Sequence, residues 1–211
     1  MRTLYLIRHG HPESGEGKSR CISKTNVPLD ELGLCQAELL WEWARITPVT
    51  AIFSSPLKRC VQTAYTMSGG QIPVVIDERL SEMDVGLWEG LTFDEIRARY
   101  PEEYAARNGR LGTAPPPGGE SMEQAGKRLI CCLDELLTET QGDIAVIAHG
   151  GINRGALCRL TRQDPDKAPE IPQPYGGIST LKVDEHGRYI VVSAGIKPDR
   201  FQSPETQTIW R

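Results

Sequence analysis

Two histidines and two arginines of this chain lie in short motifs that suit phosphoryl chemistry. Arg8 and His9 occur in LIRHG, Arg59 occurs in SSPLKR, and His149 occurs in AHGG. A guanidinium group can bind two oxygens of a phosphoryl group at once, and a neutral imidazole can attack phosphorus. If the four side chains meet in the folded protein, they form a site for a small phosphorylated ligand.

The segments that carry these residues are expected to be strands that end at one edge of a sheet. Residues 3–8, 50–55 and 143–151 are apolar runs of strand length, and each ends near one of the motifs. In an open α/β sheet, ligands bind beyond the carboxyl ends of the strands. The glycines of RHG and HGG allow close approach of the backbone, and helix N-termini offer N–H donors to an anion.

The remaining pattern alternates helices with strands. Helices are predicted after Asp30, from a first turn containing Pro56, from a capping box of Thr92 and Glu95 to Tyr100, and over 121–139. Residues 178–184 and 189–195 are predicted to form a terminal hairpin. The expected fold class is therefore α/β, with three α/β/α layers and a mostly parallel sheet that has an antiparallel edge.

Composition limits the classes of partner. The formal net charge is −4 and the pI is near 5.7, so no broad basic field exists for nucleic acid or a membrane surface. No run is long and apolar enough to span a bilayer, and the N-terminus MRTLYLIRHG is too short and too soon charged for a signal peptide. We expect a cytoplasmic protein whose few local cations bind a small anion.

The cysteines and histidines do not predict a metal site. The six cysteines are scattered with no CxxC pair, which favours free thiols in a reducing compartment. The four histidines are too dispersed along the chain to suggest clustered zinc ligands. We expect no metal and no cofactor.

Five motifs together resemble one protein family. They occur in the order LIRHG, SSPLKRCVQTA, LSEMDVGLWEG, PGGES and AHGG, and they cover about residues 3–155. This series is similar to the histidine phosphatase superfamily, also called the phosphoglycerate mutase-like family. The resemblance implies the phosphoglycerate mutase-like fold, as a single domain over 1–211 with a cap segment at about 92–120.

The resemblance also implies a role for each site residue. His9 would be the nucleophile that forms a phosphohistidine. Arg8 and Arg59 would bind the phosphoryl oxygens, and His149 would add a further donor to the developing charge. Glu82 would protonate the leaving oxygen and later activate water. Glu78, Asp84 and Glu89 lie close to Glu82 in the sequence and are alternative candidates for the acid.

The implied activity is a metal-independent phosphomonoesterase, of the histidine acid phosphatase type, acting on a small phosphorylated metabolite. A homodimer is also possible, since dimers are common in the family. Three alternatives stay open: a phosphoglycerate-type mutase, an α-ribazole phosphatase as the specific assignment, and a non-catalytic module that binds a phospholigand. The substrate would be set by the 14–26 loop and the 92–120 segment.

This chain departs from the family pattern just after RHG. Pro12 and Gly15 stand where many relatives carry Thr or Ser and Asn, so one phosphate-contacting amide side chain is missing. Lys18, Ser19 or Arg20 of the following loop could compensate. Two further side chains lie next to the site motifs in the sequence. His11 would contact substrate or lie at the surface, and Cys60, the helical neighbour of Arg59, is expected to point away from the site and serve packing.

Overall fold

The structure is a computed structural model that describes residues 1–13 and 20–198. Its centre is a six-stranded sheet with the order β3-β2-β4-β1-β5-β6. The strands are β1 (Arg2–Arg8), β2 (Val49–Ser54), β3 (Val74–Ile76), β4 (Asp143–Ala148), β5 (Ile178–Val183) and β6 (Tyr189–Ile196).

Strands β1 to β4 run parallel to one another, while β5 pairs antiparallel with β1 and β6 pairs antiparallel with β5. This arrangement confirms the predicted mostly parallel sheet with an antiparallel edge. The helices are α1 (Glu31–Ala44), α2 (Lys58–Ser68), α3 (Phe93–Arg99), α4 (Pro101–Ala106), α5 (Met122–Glu139) and α6 (Gly150–Leu160).

Both faces of the central strands are covered, as expected for parallel strands. Leu4 and Leu6 of β1 are buried in a cluster with α5 and α6, whereas Tyr5 and Ile7 are buried in a cluster with α1 and α2. This separation follows from the two-residue period of a strand, because successive side chains point to opposite faces. The chain therefore has the predicted three layers.

The glycine of RHG allows the first helix to pack against the end of β1. A Cβ atom added at Gly10 would lie 2.5 Å from the backbone oxygen of Gly33, in the first turn of α1. The Asp30 side chain caps α1 by accepting a hydrogen bond from the Gly33 N–H at 2.8 Å. Close packing of these backbones fixes the path of the chain just after His9.

One predicted boundary is wrong. Helix α2 begins at Lys58 rather than at a first turn containing Pro56. The reason is local: Leu57 has an extended backbone, with φ −70° and ψ 136°, and acts as the N-cap residue. Arg59 nevertheless lies in the first turn of the helix, as expected.

The segment 92–120 contains two short helices. The capping box is confirmed, because Thr92 accepts from the Glu95 N–H and Glu95 accepts from the Thr92 N–H. Helix α4, with Pro101 in its first turn, was not predicted from the sequence. The segment packs through Ile96 against Trp88, beside the Glu82 loop. Its role as a cap over the site stays a prediction.

None of the helices in the described ranges is both long and apolar enough to cross a lipid bilayer.

Candidate active site

The ends of three neighbouring strands bring the predicted residues together. In the sheet, β4 lies between β2 and β1. The His9 N–H donates to the Ala148 carbonyl at 3.1 Å, and the Ser55 N–H donates to the Ile147 carbonyl at 3.0 Å. These bonds hold the residues that follow β1, β2 and β4 at one edge of the sheet. The convergence expected from the motifs is confirmed.

His9 is held as a neutral imidazole whose Nε2 keeps its lone pair. It is only 4% exposed. Its Nδ1 lies 2.6 Å from the Gly10 carbonyl oxygen. A carbonyl can only accept, so Nδ1 carries the proton and Nε2 keeps its lone pair. Burial, followed by the charges of Arg59 and Arg8, holds the pKa of His9 well below its ordinary value. The free nitrogen is thus available as a nucleophile.

His149 lies beside His9, with ring centroids 5.0 Å apart. It is fully buried, and its Nε2 is 2.8 Å from the Ser55 hydroxyl oxygen. Burial, followed by the proximity of His9 and of the two arginines, holds the pKa of His149 well below its ordinary value. The Cys60 thiol is 3.4 Å from the same nitrogen. Cys60 is buried in the α1–α2 cluster as predicted, but its thiol points toward the site and not away from it.

Arg59 reaches the site from α2 and is 2% exposed. Its Nη1 donates to the Thr25 carbonyl at 2.8 Å and its Nη2 donates to the Ser23 carbonyl at 2.6 Å. Burial lowers the pKa of Arg59, although a guanidinium group stays charged at neutral pH. Backbone oxygens therefore fix the orientation of this cation.

Arg8 is oriented by the loop before β5. Its Nη1 donates to the Gln173 carbonyl at 2.6 Å, and its Cζ stacks 3.7 Å from the centroid of the Tyr175 ring. Its Nε is buried and has no hydrogen-bond partner among the described residues. A buried donor without a partner is costly unless a ligand satisfies it. Arg8 therefore keeps a donor for an anion.

Glu82 sits at the N-terminus of α6. Its Oε2 accepts from the Gly151 N–H at 3.0 Å and its Oε1 accepts from the Ile152 N–H at 2.9 Å. A Cβ atom at Gly151 would lie 2.8 Å from Oε1, so the glycine makes this approach possible. The sequence suggested that such amides would bind the ligand, whereas in the structure they bind the carboxylate of the chain itself.

The other acidic candidates lie elsewhere. Asp84 pairs with Lys24, Glu89 binds backbone N–H groups of residues 23–25, and Glu78 is exposed. Within the described chain, Glu82 is the one of the four that contacts α6. Its placement supports it as the candidate acid.

Family comparison agrees with this geometry. The model of the histidine phosphatase superfamily, branch 1, matches residues 4–194. The chain belongs to the histidine phosphatase superfamily. The resemblance seen in the five motifs is thereby confirmed.

Individual relatives of this histidine phosphatase have different names. The protein "Putative phosphoserine phosphatase 2" of Hydrogenobacter thermophilus is 31% identical over 187 residues, which cover 87% of this chain and 91% of the relative. The "2,3-bisphosphoglycerate-dependent phosphoglycerate mutase 2" of Gloeobacter violaceus is 29% identical over 182 residues, which cover 83% of each chain.

Solved structures share the fold. A mycobacterial glucosyl-3-phosphoglycerate phosphatase, in complex with VO3, superposes with a TM-score of 0.80 at 26% identity. The match covers 93% of this chain and 100% of that one. Family membership and the phosphatases among the relatives support an enzyme that hydrolyses phosphate esters.

Arg154 supplies a further cation near Arg8 in this histidine phosphatase. The five motifs did not predict it. A Cβ atom at Gly150 would lie 3.2 Å from Arg8 Nε and 3.3 Å from Arg154 Nη1, so the two guanidinium groups flank Gly150. Arg154 Nε donates to the Ile171 carbonyl at 3.0 Å. Burial, followed by the charge of Arg8, lowers the pKa of Arg154. The signal in the sequence was its spacing, because residues i and i+4 share a helix face.

Tyr175 was also missed. Its ring centroid lies 5.6 Å from that of His9 and 4.8 Å from that of His11. His11 itself pairs with Asp30, with Nδ1 2.6 Å from the carboxylate oxygen. Tyr175 is far from RHG in the sequence and belongs to no motif, so sequence reasoning had no signal for it.

Part of the loop expected to compensate for Pro12 lies outside the described residues. Gly15, Lys18 and Ser19 belong to that part. The tail from residue 199 onward also lies outside the described residues. Arg20 is described and donates to the Gly90 carbonyl at 2.8 Å, which links the loop to the segment before α3.

Across residues 1–13 and 20–198, no group of three or more His, Cys, Asp or Glu side chains is arranged to hold a metal ion.

Proposed function

We propose that this enzyme is a phosphomonoesterase that hydrolyses a small phosphorylated metabolite through a phosphohistidine at His9. The observation that carries the proposal is the state of His9. Its Nδ1 is fixed on the Gly10 carbonyl, its Nε2 keeps its lone pair, and burial together with the charges of Arg59 and Arg8 lowers its pKa. A buried, neutral imidazole among cations is the arrangement that a phosphoryl acceptor needs.

In the first step, the Nε2 lone pair of His9 attacks phosphorus and the ester P–O bond breaks. Arg8 and Arg59 bind the non-bridging oxygens, where negative charge accumulates. Glu82, in its protonated form, gives its proton to the leaving oxygen, because an alkoxide is a poor leaving group. His149 adds a donor to the same oxygens when the Ser55 hydroxyl donates to its Nε2 and the ring proton sits on Nδ1.

In the second step, Glu82 acts in its ionised form. Its carboxylate takes a proton from water, and the resulting hydroxide attacks the phosphorus of phospho-His9. The P–N bond breaks, its electron pair returns to Nε2, and inorganic phosphate leaves. Each turnover restores both His9 and the Glu82 proton. The positive charges in both steps come from Arg8 and Arg59, so these steps need no metal ion or cofactor.

The first test is a phosphate-release panel with the wild type and His9→Ala, with and without EDTA. The substrates are p-nitrophenyl phosphate, phosphoserine, α-ribazole phosphate, several sugar phosphates and both phosphoglycerates. Phosphoserine comes first among metabolites because a 31% identical relative is named for it. We expect release that resists EDTA and requires His9. His186→Ala, an exposed site, is the matched control. Normal activity of His9→Ala would overturn the mechanism.

A mutase would use the same first step and then pass the phosphoryl group to an acceptor. The relative named as a phosphoglycerate mutase is the reason to consider this second candidate function. Product analysis separates the two: a phosphatase releases phosphate from 3-phosphoglycerate, whereas a mutase moves the phosphoryl group between its positions. A phospholigand-binding module would bind phosphate without forming phosphohistidine. Trapping with labelled substrate and an alkaline, denaturing quench would reveal the difference, because phosphohistidine is stable in alkali and labile in acid.

A further inference from the structure

Glu89 anchors a turn at residues 23–25 through several hydrogen bonds. Its Oε1 accepts from the N–H groups of Ser23 and Thr25, both at 3.0 Å, and from the Thr25 hydroxyl at 2.6 Å. Its Oε2 accepts from the N–H groups of Ser23 and Lys24, both at 3.2 Å. Both carboxylate oxygens are therefore occupied by donors of one short turn.

The opposite side of the same turn holds Arg59. The carbonyls of Ser23 and Thr25 accept the two Nη atoms of the Arg59 guanidinium, at 2.6 and 2.8 Å. The Ser23 carbonyl and the Lys24 N–H belong to one peptide unit. The described chain contains no cis peptide bond, and in a trans unit these two groups point in opposite directions. That peptide thus lies between the Glu89 carboxylate and the Arg59 guanidinium, with its dipole aligned to both charges.

The turn is also tied to the Glu82 loop. The fully buried Ser23 hydroxyl donates to the carbonyl of Met83, the residue after Glu82. The turn therefore contacts the phosphate-binding arginine and the loop of the candidate acid at once. A side chain that fixes the turn therefore affects the positions of both Arg59 and the Glu82 loop.

We propose that Glu89 is a positioning residue for Arg59. It acts through the 23–25 turn and does not touch the substrate. The inference rests on the proposed function, because Arg59 is taken to bind the phosphoryl group. A carboxylate suits this task because all its contacts in the turn are donors. An amide would turn one NH₂ group toward backbone N–H groups, and the two donors would repel. The turn would shift, and the carbonyls that aim Arg59 would shift with it.

The experiment compares Glu89→Gln with the wild type. The equilibrium readout is the Kd of inorganic phosphate by calorimetry, and the kinetic readout is p-nitrophenyl phosphate turnover. We expect the phosphate Kd and the KM to rise about tenfold, as for the loss of one aligned, charge-assisted contact. Thr25→Val removes only the hydroxyl bond to Glu89, at an exposed position, and should raise the Kd about twofold to threefold.

Asp184→Asn is the matched control. Asp184 also accepts from backbone N–H groups and one side chain, but in the β5–β6 turn: its donors are the N–H groups of His186 and Arg188 and the Arg188 Nε. It should leave the phosphate Kd unchanged. Thermal unfolding of each variant checks that binding is compared between folded proteins.

A double-mutant cycle decides between positioning and general stability. In an Arg59→Lys background the Lys side chain cannot reproduce the two-carbonyl contact, so Glu89→Gln should have little further effect on phosphate binding. Independent effects that simply add would overturn the proposal, as would an unchanged Kd in Glu89→Gln. The phosphate Kd can be measured whether or not the protein turns over substrate. If the phosphatase proposal fails, turnover is absent but the Kd comparison still holds. If the positioning proposal fails, the Kd of Glu89→Gln equals that of the wild type.

Discussion

The side of the site that we propose receives the phosphoryl group is buried and oriented by backbone atoms, whereas the side beyond Glu82 is open and lined with charged side chains. On the first side, His9 is oriented by the Gly10 carbonyl, Arg8 by that of Gln173, and Arg59 by two carbonyls of the 23–25 turn. On the second side, contacts between charged side chains are added to backbone contacts. Arg128 forms two hydrogen bonds to Glu120 and two to the carbonyls of Arg79 and Ser81, and Lys24 pairs with Asp84.

The second side forms a groove of about 620 Å³ next to Glu82. Its charged and hydroxyl-bearing lining consists of Lys24, Glu78, Ser81, Glu82, Asp84, Glu120 and Arg128. A contact from a backbone carbonyl survives most substitutions at its own position, whereas a contact from a side chain does not. The phosphoryl side should therefore be common to many substrates, and the groove side should set which leaving group is accepted.

The strongest test of the difference between the two sides is Glu82→Gln. The variant should lose about 100-fold in kcat on alkyl phosphates, the usual contribution of a positioned acid, and much less on p-nitrophenyl phosphate. The physical reason is the leaving group: p-nitrophenolate leaves without a proton, and an alkoxide does not. Steady-state kinetics on phosphoserine and the aryl ester measure the difference. Glu78→Gln, at an exposed position in the same groove, is the control. Equal losses on both substrates would show that Glu82 is not the acid.

Arg154→Gln tests the phosphoryl side and should have a smaller effect. Its guanidinium lies near that of Arg8, and both approach the position that a Cβ atom of Gly150 would occupy. Its removal should weaken phosphate binding by about tenfold, the scale of one charge-assisted contact. The loss of kcat/KM should be the same for aryl and alkyl esters. Arg159→Gln, on the same helix and exposed, should change neither quantity. A loss confined to one class of leaving group would place Arg154 on the groove side.

The last expected effect concerns stability and not activity: the free energy of unfolding should depend on pH. His9 and His149 are buried, with pKa values well below the ordinary 6.5. Below pH 6.5 the unfolded chain takes up protons on these imidazoles and the folded chain does not, so stability falls as the pH falls toward the folded-state values. Each imidazole contributes up to about 1.4 kcal/mol per pH unit in that range.

Urea unfolding at pH 7.5 and pH 5.5 measures this dependence. His9→Gln should lose less stability between the two pH values than the wild type does. A wild type and a variant with the same pH dependence would show that His9 is not held neutral in the folded protein.

Features that depend on one local stretch of sequence were predictable. The capping box of Thr92 and Glu95 needs only its own turn, and the end of β1 at Arg8 needs only an apolar run followed by polar residues. The rule that ligands bind beyond the carboxyl ends of parallel strands placed His149 and His9 at one edge of the sheet, but that β4 and β1 are neighbours came only from the structure. Each of these inferences required no knowledge of how loops pack.

Features that depend on packing between distant loops were not predictable. The contacts of Glu89 with the 23–25 turn span more than sixty residues, and Tyr175 stacks on Arg8 from the other end of the chain. The wrong helix start at Pro56 has the same origin on a smaller scale. Leu57 adopts an extended backbone that the preference of proline for a first turn does not reveal.

The carboxylate of Glu82 occupies the amides at the N-terminus of α6, where a free anion would otherwise bind. A descendant chain that lost this side chain would gain two unpaired N–H donors beside an intact pair of arginines. Such a chain would offer an anion two more donors, and it would lack the candidate acid. In evolutionary terms, the same two amides can hold either a carboxylate of the chain itself or a ligand.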